Sequence, residues 1–156
     1  MIIVMMASLY DWLLLLHVLA AMFWLGGITV IGAFAVRILR TREPGATAGF
    51  LGSLRVVGPL VLAPAPVILL GMGIWMVANQ WDFGQTWVTV GFTLFAIAFL
   101  IGAAHQSRAA IAAERASAAG DDATALRHLR RWAYGMAVIL LLLVVATWDM
   151  VFKPGL

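Results

Sequence analysis

Apolar residues run almost without interruption through positions 12–36, 56–77, 87–104 and 132–151, and the charged residues crowd between and around these runs. Each run is about as long as a helix rising ~1.5 Å per residue must be to cross a hydrocarbon core of ~30 Å. The pattern predicts an all-α, polytopic membrane protein. Short connections favour antiparallel neighbours, so the simplest arrangement is a four-helix up-down transmembrane bundle forming a single domain over 1–156.

Composition narrows the class further. Hydrophobic residues make up 64% of the chain and charged residues 11%, against ~25% charged in soluble domains. The charge is also one-sided. Arg37, Arg40, Arg42, Arg55, Arg108, Arg115, Arg127, Arg130 and Arg131 all fall in or beside the first and third connections. The opposite side carries Lys153 against Asp11, Asp82 and Asp149. By the positive-inside rule the arginine side is cytoplasmic, with both termini outside a bacterial-type inner (plasma) membrane. The basic excess therefore reports topology and attraction to anionic lipid heads, not nucleic acid. The lack of cysteine excludes disulfides, thiolate zinc sites and iron–sulfur ligation. Residues 1–6 lack a basic n-region, so they are expected to be an apolar lead-in at the outer interface, before a first span that acts as an uncleaved anchor.

Local signals add detail. The first helix is expected to open at Asp11-Trp12, and segment 41–53 to be a Gly/Pro-punctuated connection. Pro59, Pro64 and Pro66 remove backbone donors from the second span, which should be bent or locally unwound. Trp12, Trp81, Trp87 and Trp148 should form an aromatic belt on the outer face. Residues 109–131 should continue spans three and four as helices, broken at Gly120-Asp121-Asp122. Asp149 and Lys153 stand at i, i+4 in the favourable acid-first order. Asp11, Asp82 and Asp149 are expected to ring the outer rim.

His17 is the side chain that calls for chemistry. It lies five residues inside the first span, roughly 8–10 Å below the outer boundary at ~1.5 Å per residue. Ionisable residues at such depth are functional candidates by default. An uncharged imidazole there offers a nitrogen lone pair suited to a metal. The plainer alternative is a histidine bonded to a carbonyl of the bent second helix. Trp24 follows at i+7, with Ala20 and Ala21 between, which suits a flat ligand lying along the helix. Antiparallel topology brings Met72 to the same depth, with Met76 one turn nearer the surface and Met22 deeper. Histidine with thioethers suits copper(I), and a His/Met pair can be axial to haem iron; methionine is also common core filler. His105 and His128 sit at the far face and are expected to be interfacial and solvated. Residues 26–27 and 32–33 are small, allowing close helix approach.

These residues resemble a known group. The segment His17-Val-Leu-Ala-Ala-Met-Phe-Trp24-Leu-Gly26-Gly27 is similar to the opening helix of the superfamily containing CopD-like copper-resistance membrane proteins and HemJ-type protoporphyrinogen oxidases. The proline-bearing second helix with Gly71-Met-Gly73, the Trp87 start of the third and the terminal Met150-Val-Phe-Lys153-Pro154-Gly155 are similar too. The likeness is strongest to a family of small integral membrane proteins of unknown function. The resemblance implies haem b on the first-helix histidine, here His17. It also implies a functional lysine four residues after the third-helix tryptophan, a position held here by Gly91. That departure speaks against protoporphyrinogen oxidation while leaving haem binding open.

Three functional expectations follow. In the first, His17 binds haem b with Met72 as second ligand, Trp24 and Gly27 shaping the pocket, for electron transfer or redox chemistry. In the second, a CopD-like permease handles copper through His17, Met72 and Met76. In the third, the chain is a cofactor-free partner or scaffold subunit. A redox partner or a homo-oligomer is compatible with each.

Overall fold

The computed structural model describes residues 8–43 and 45–155; the expected lead-in at 1–6 lies outside them. Ser8 starts the first helix. Its Oγ accepts from the Asp11 N–H at 3.3 Å, while the Asp11 carboxylate accepts from the Ser8 N–H at 2.8 Å, a reciprocal cap. Four long apolar helices follow: α1 (Leu9–Thr41), α2 (Ala46–Gln80), α3 (Thr86–Ala118) and α4 (Asp122–Phe152). With no strand among the described residues, this is an all-helical transmembrane bundle.

The helices outrun the apolar segments. At ~1.5 Å per residue α1 is about 50 Å long, well beyond a hydrocarbon core, and the excess carries arginines. Segment 41–53 is a correction: most of it is helical, since α2 begins at Ala46. α3 and α4 do extend past the apolar runs, joined through Gly120 at φ +75°, a backbone that a β-carbon would strain. The Asp121 side chain accepts from the Thr124 N–H at 2.9 Å and caps α4.

Proline chemistry shapes α2. Pro59, Pro64 and Pro66 have no N–H, so the i→i−4 ladder of α2 loses three donors. The helix widens into a π-turn over Gly58–Leu62, and Ala63 N–H donates five residues back to Gly58 O at 3.0 Å. The sequence carried that signal. A second π-turn, Ile101–Gln106 in α3, has no proline to announce it.

Small residues set the core. Ala35, Ala98, Ala113 and Ala125 are fully enclosed and let the backbones approach, while Trp24, Ile28, Leu129, Trp132 and Ile139 fill the centre. α3 packs along α4, and α1 packs on both α4 and the Pro64–Gln80 part of α2. The outer faces are the reverse of a soluble protein: Leu15, Leu16, Phe23, Phe34, Leu141 and Val144 are all exposed, as lipid solvation requires.

The tryptophan end is tied together by aromatic contacts. Trp81 Nε1 donates to Tyr10 Oη at 3.3 Å, and Trp81 meets Trp87 edge-on at 5.2 Å. Trp87 is 7% exposed, so it is core and not part of an interfacial belt, whereas Trp12 and Trp148 are exposed. Lys153 does not pair with Asp149 as its spacing predicted. Its Nζ lies over the Trp81 ring at 3.9 Å and 5.3 Å from the Trp87 ring, a cation–π arrangement.

Candidate functional site

Among the described residues, three side chains of the bundle interior keep buried polar atoms without hydrogen-bond partners: His17, Asp149 and Gln106. Buried polar groups are nearly always satisfied, so each marks a position to explain.

His17 projects from α1 into the tryptophan-end half. The ring is buried, and its Nδ1 has no partner. It stands against α2: a β-carbon built on Gly73 would lie 3.6 Å from His17 Cε1, and the backbone of Leu69 is within bonding reach of the ring. Leu69, Gly73 and Met76 share one helical face at i, i+4, i+7, and Leu69 and Met76 are buried. Met76 is therefore on the stripe that meets His17. Met72 sits beside Gly73, half-buried on the flank. Met22 is 64% exposed and faces away from the interior, which corrects its grouping with the other methionines.

Asp149 also departs from expectation. Placed by sequence on the outer rim, it is 1% exposed inside the bundle, and neither carboxylate oxygen has a partner. It faces Gly91 of α3, where a β-carbon would be 3.4 Å from Oδ2. Position i, i+4 from Lys153 suggested a surface pair, but the helix turns that face inward.

The donor set at His17 fits an axial metal ligand: one ring nitrogen is free and a backbone carbonyl is at hand to orient the imidazole. The spacing is less generous to a macrocycle. A β-carbon on Gly73 would already be in van der Waals contact with the ring, so α1 and α2 lie close at this level. Trp24 and Gly27 lie deeper. Trp24 packs on Phe95 with centroids 5.9 Å apart, and Gly27 faces Leu62, whose Cδ2 would be 3.4 Å from an added β-carbon.

Below that level, a cavity of ≈ 640 Å³ opens between α2 and α3, floored by Trp24, Trp132 and Ile139. Both π-turns line it. So does Gln106, 7% exposed, with both amide atoms unpartnered. Its Oε1 also presses on α4, where a β-carbon on Gly135 would meet it at 2.8 Å. An ion pair spans the arginine end of the cavity, Arg55 Nη1 to Glu114 Oε1 at 3.0 Å. His105 is exposed, its Nε2 3.3 Å from Arg131 O, and His128 is half-buried. Gln106 escaped the sequence reading because it lies just past an apolar run. Its signal was periodic: it continues the buried stripe Ala98–Ala109–Ala113 at helical spacing.

A family model described as a predicted integral membrane protein, DUF2269, matches residues 11–154. The chain belongs to the DUF2269 family. No curated protein and no solved structure matches it. Membership makes this DUF2269 protein an integral membrane protein along nearly its whole length, consistent with four helices long and apolar enough to span. Among its described residues, no three His, Cys, Asp or Glu side chains cluster as a metal site.

Proposed function

We propose that this DUF2269 protein holds a soft metal ion inside the membrane, with His17 as the anchoring ligand and copper(I) as the ion. One observation carries the reading: a buried imidazole whose Nδ1 has no partner among the described residues. Leaving such a group unsatisfied costs ~1–3 kcal/mol, and a bound ion would offset that cost. Thioethers select copper(I) among first-row metals. Side chains on a helix lean toward its N-terminus, so His17 on α1 and Met76 on the antiparallel α2 lean toward one another. Met72 would complete the set from the flank. Gly73 lets the ring approach α2, the Leu69 carbonyl orients it, and the surrounding leucines exclude water. Copper(I) bound there would supply either transferable cargo or a one-electron couple.

Haem b is the second reading, supported by the resemblance of the first helix and by the same free nitrogen. It requires α1 and α2 to separate at His17. The arginine end lies in the cytoplasm of a bacterial-type plasma membrane in either case, by the positive-inside rule.

The test is metal analysis and a visible spectrum of protein purified in detergent after expression with added copper and haem precursor. The proposal expects copper that is lost in His17→Ala and reduced in Met76→Leu, with no Soret band. Copper no higher in the native chain than in His17→Ala overturns it. A Soret band dependent on His17 replaces it with haem, and a colourless, metal-free protein leaves the cofactor-free subunit.

A further inference from the structure

We propose that the cleft between α2 and α3 is a binding site for a membrane-borne amphiphile, one with an apolar body and a hydroxyl head. The site is separate from His17 and does not depend on a metal there.

The volume of ≈ 640 Å³ is that of a small-molecule pocket. Its position decides what can enter. The cleft is flanked by lipid-facing residues such as Leu60, Val67 and Phe99, all exposed, so its surroundings are acyl chains and not water. Leu62, Gly102, Trp24 and Trp132 make an apolar interior for a chain or a ring.

The polar end sets the chemistry of the head. Gln106 is more than nine-tenths buried, lines the cleft, and has both Nε2 and Oε1 without partners. An amide in this state needs one acceptor and one donor. A hydroxyl supplies both, accepting from Nε2 and donating to Oε1. A plain hydrocarbon supplies neither and leaves the amide as costly as before. Toward the arginine end, Arg55 and Glu114 satisfy one another, so the site does not call for a charged head. The walls are also unusual in backbone. Two π-turns, Gly58–Leu62 and Ile101–Gln106, face each other across the cleft, and such turns are frequent at functional sites. The second ends on Gln106, which lines the cleft and whose Oε1 lies against Gly135 of α4.

The hydroxyl has two natural sources in a bilayer, the phenolic group of a reduced quinone and the alcohol of a long-chain lipid. Either presents the same donor and acceptor.

The experiment uses the full chain in lipid nanodiscs and 1-hexadecanol brominated in mid-chain, which quenches tryptophan on contact. Trp24 and Trp132 are the reporters, and the equally brominated alkane is the control. The proposal expects saturable quenching by the alcohol, none above background by the alkane, and about tenfold weaker binding in Gln106→Leu, the loss of roughly one charge-free pair of hydrogen bonds. Gln106→Leu also removes an unsatisfied buried amide, so without ligand it should melt no lower than the native chain, which separates lost binding from lost fold. Gly102→Leu, filling the cleft, should abolish saturable quenching. A decyl-substituted benzoquinol and unbrominated hexadecanol then compete for the site. Displacement by either supports the proposal and names the source. Equal quenching by alcohol and alkane, or unchanged binding in Gln106→Leu, overturns it.

Discussion

Gly91 of α3 lies against Asp149 of α4, so close that a β-carbon on the glycine would stand 3.4 Å from Asp149 Oδ2. The carboxyl group is enclosed, both of its oxygens lack partners, and Lys153, its expected companion, is committed to Trp81. Among the described residues the acid stands alone.

An isolated buried polar group is costlier than an apolar one of similar size. Asp149→Val should therefore raise the thermal midpoint in detergent, by roughly 1–3 kcal/mol of stability. Thermal unfolding followed by tryptophan fluorescence reads this directly. A lowered midpoint would mean that the carboxyl group is held by something beyond the described residues, such as a cation or a lipid head.

The apolar runs were sufficient for the architecture because a bilayer leaves a spanning segment few options: every backbone group must be bonded within its own helix. Gly120 and the prolines of α2 were legible for the same reason, since each changes the backbone directly. Rotation about the helix axis was less legible. In a membrane both the lipid face and the core are apolar, so hydrophobic periodicity no longer says which side is inside. Asp149 could be assigned to the rim and Trp87 to the belt without violating any pattern; it is the approach of α3 to α4 at Gly91 that encloses Asp149, and packing on Val77 and Trp81 that encloses Trp87. His17 was found because a polar residue in an apolar run stands out at any rotation. Gln106 lies beyond such a run, so only its helical spacing to Ala109 and Ala113 marked it, and no residue type announces the π-turn that ends on it.

The charge asymmetry makes a topological prediction that the absence of cysteine renders easy to check. Single cysteines can be placed at Ser117 of α3, which is half-buried, and at Phe83 between α2 and α3, which is exposed. In intact cells a membrane-impermeant maleimide should label Phe83→Cys and spare Ser117→Cys until the membrane is broken. Labelling in the opposite order would invert the bundle and place the arginine end outside.

The cap of α4 gives a pH dependence whose sign can be worked out. Asp121 lies in the turn outside the apolar spans, and its carboxylate accepts from the Thr124 N–H at 2.9 Å. Hydrogen bonds from the Thr124 side chain and backbone, with Arg127 nearby, hold its pKa below the ordinary 3.8. A folded-state pKa below the unfolded one means that the unfolded chain binds the proton more readily. The cap's contribution is then complete at pH values above 3.8 and fades as pH falls through the depressed folded value. Asp121→Ala should lower the melting midpoint of the bundle at neutral pH, and the gap to the native chain should close on acidification below the ordinary carboxylate range. Asp121→Asn, which keeps a capping oxygen without a titrating proton, should hold most of the stability and lose the acid-dependent part. A gap between native and Asp121→Ala chains that widens toward low pH would contradict the assignment of the cap.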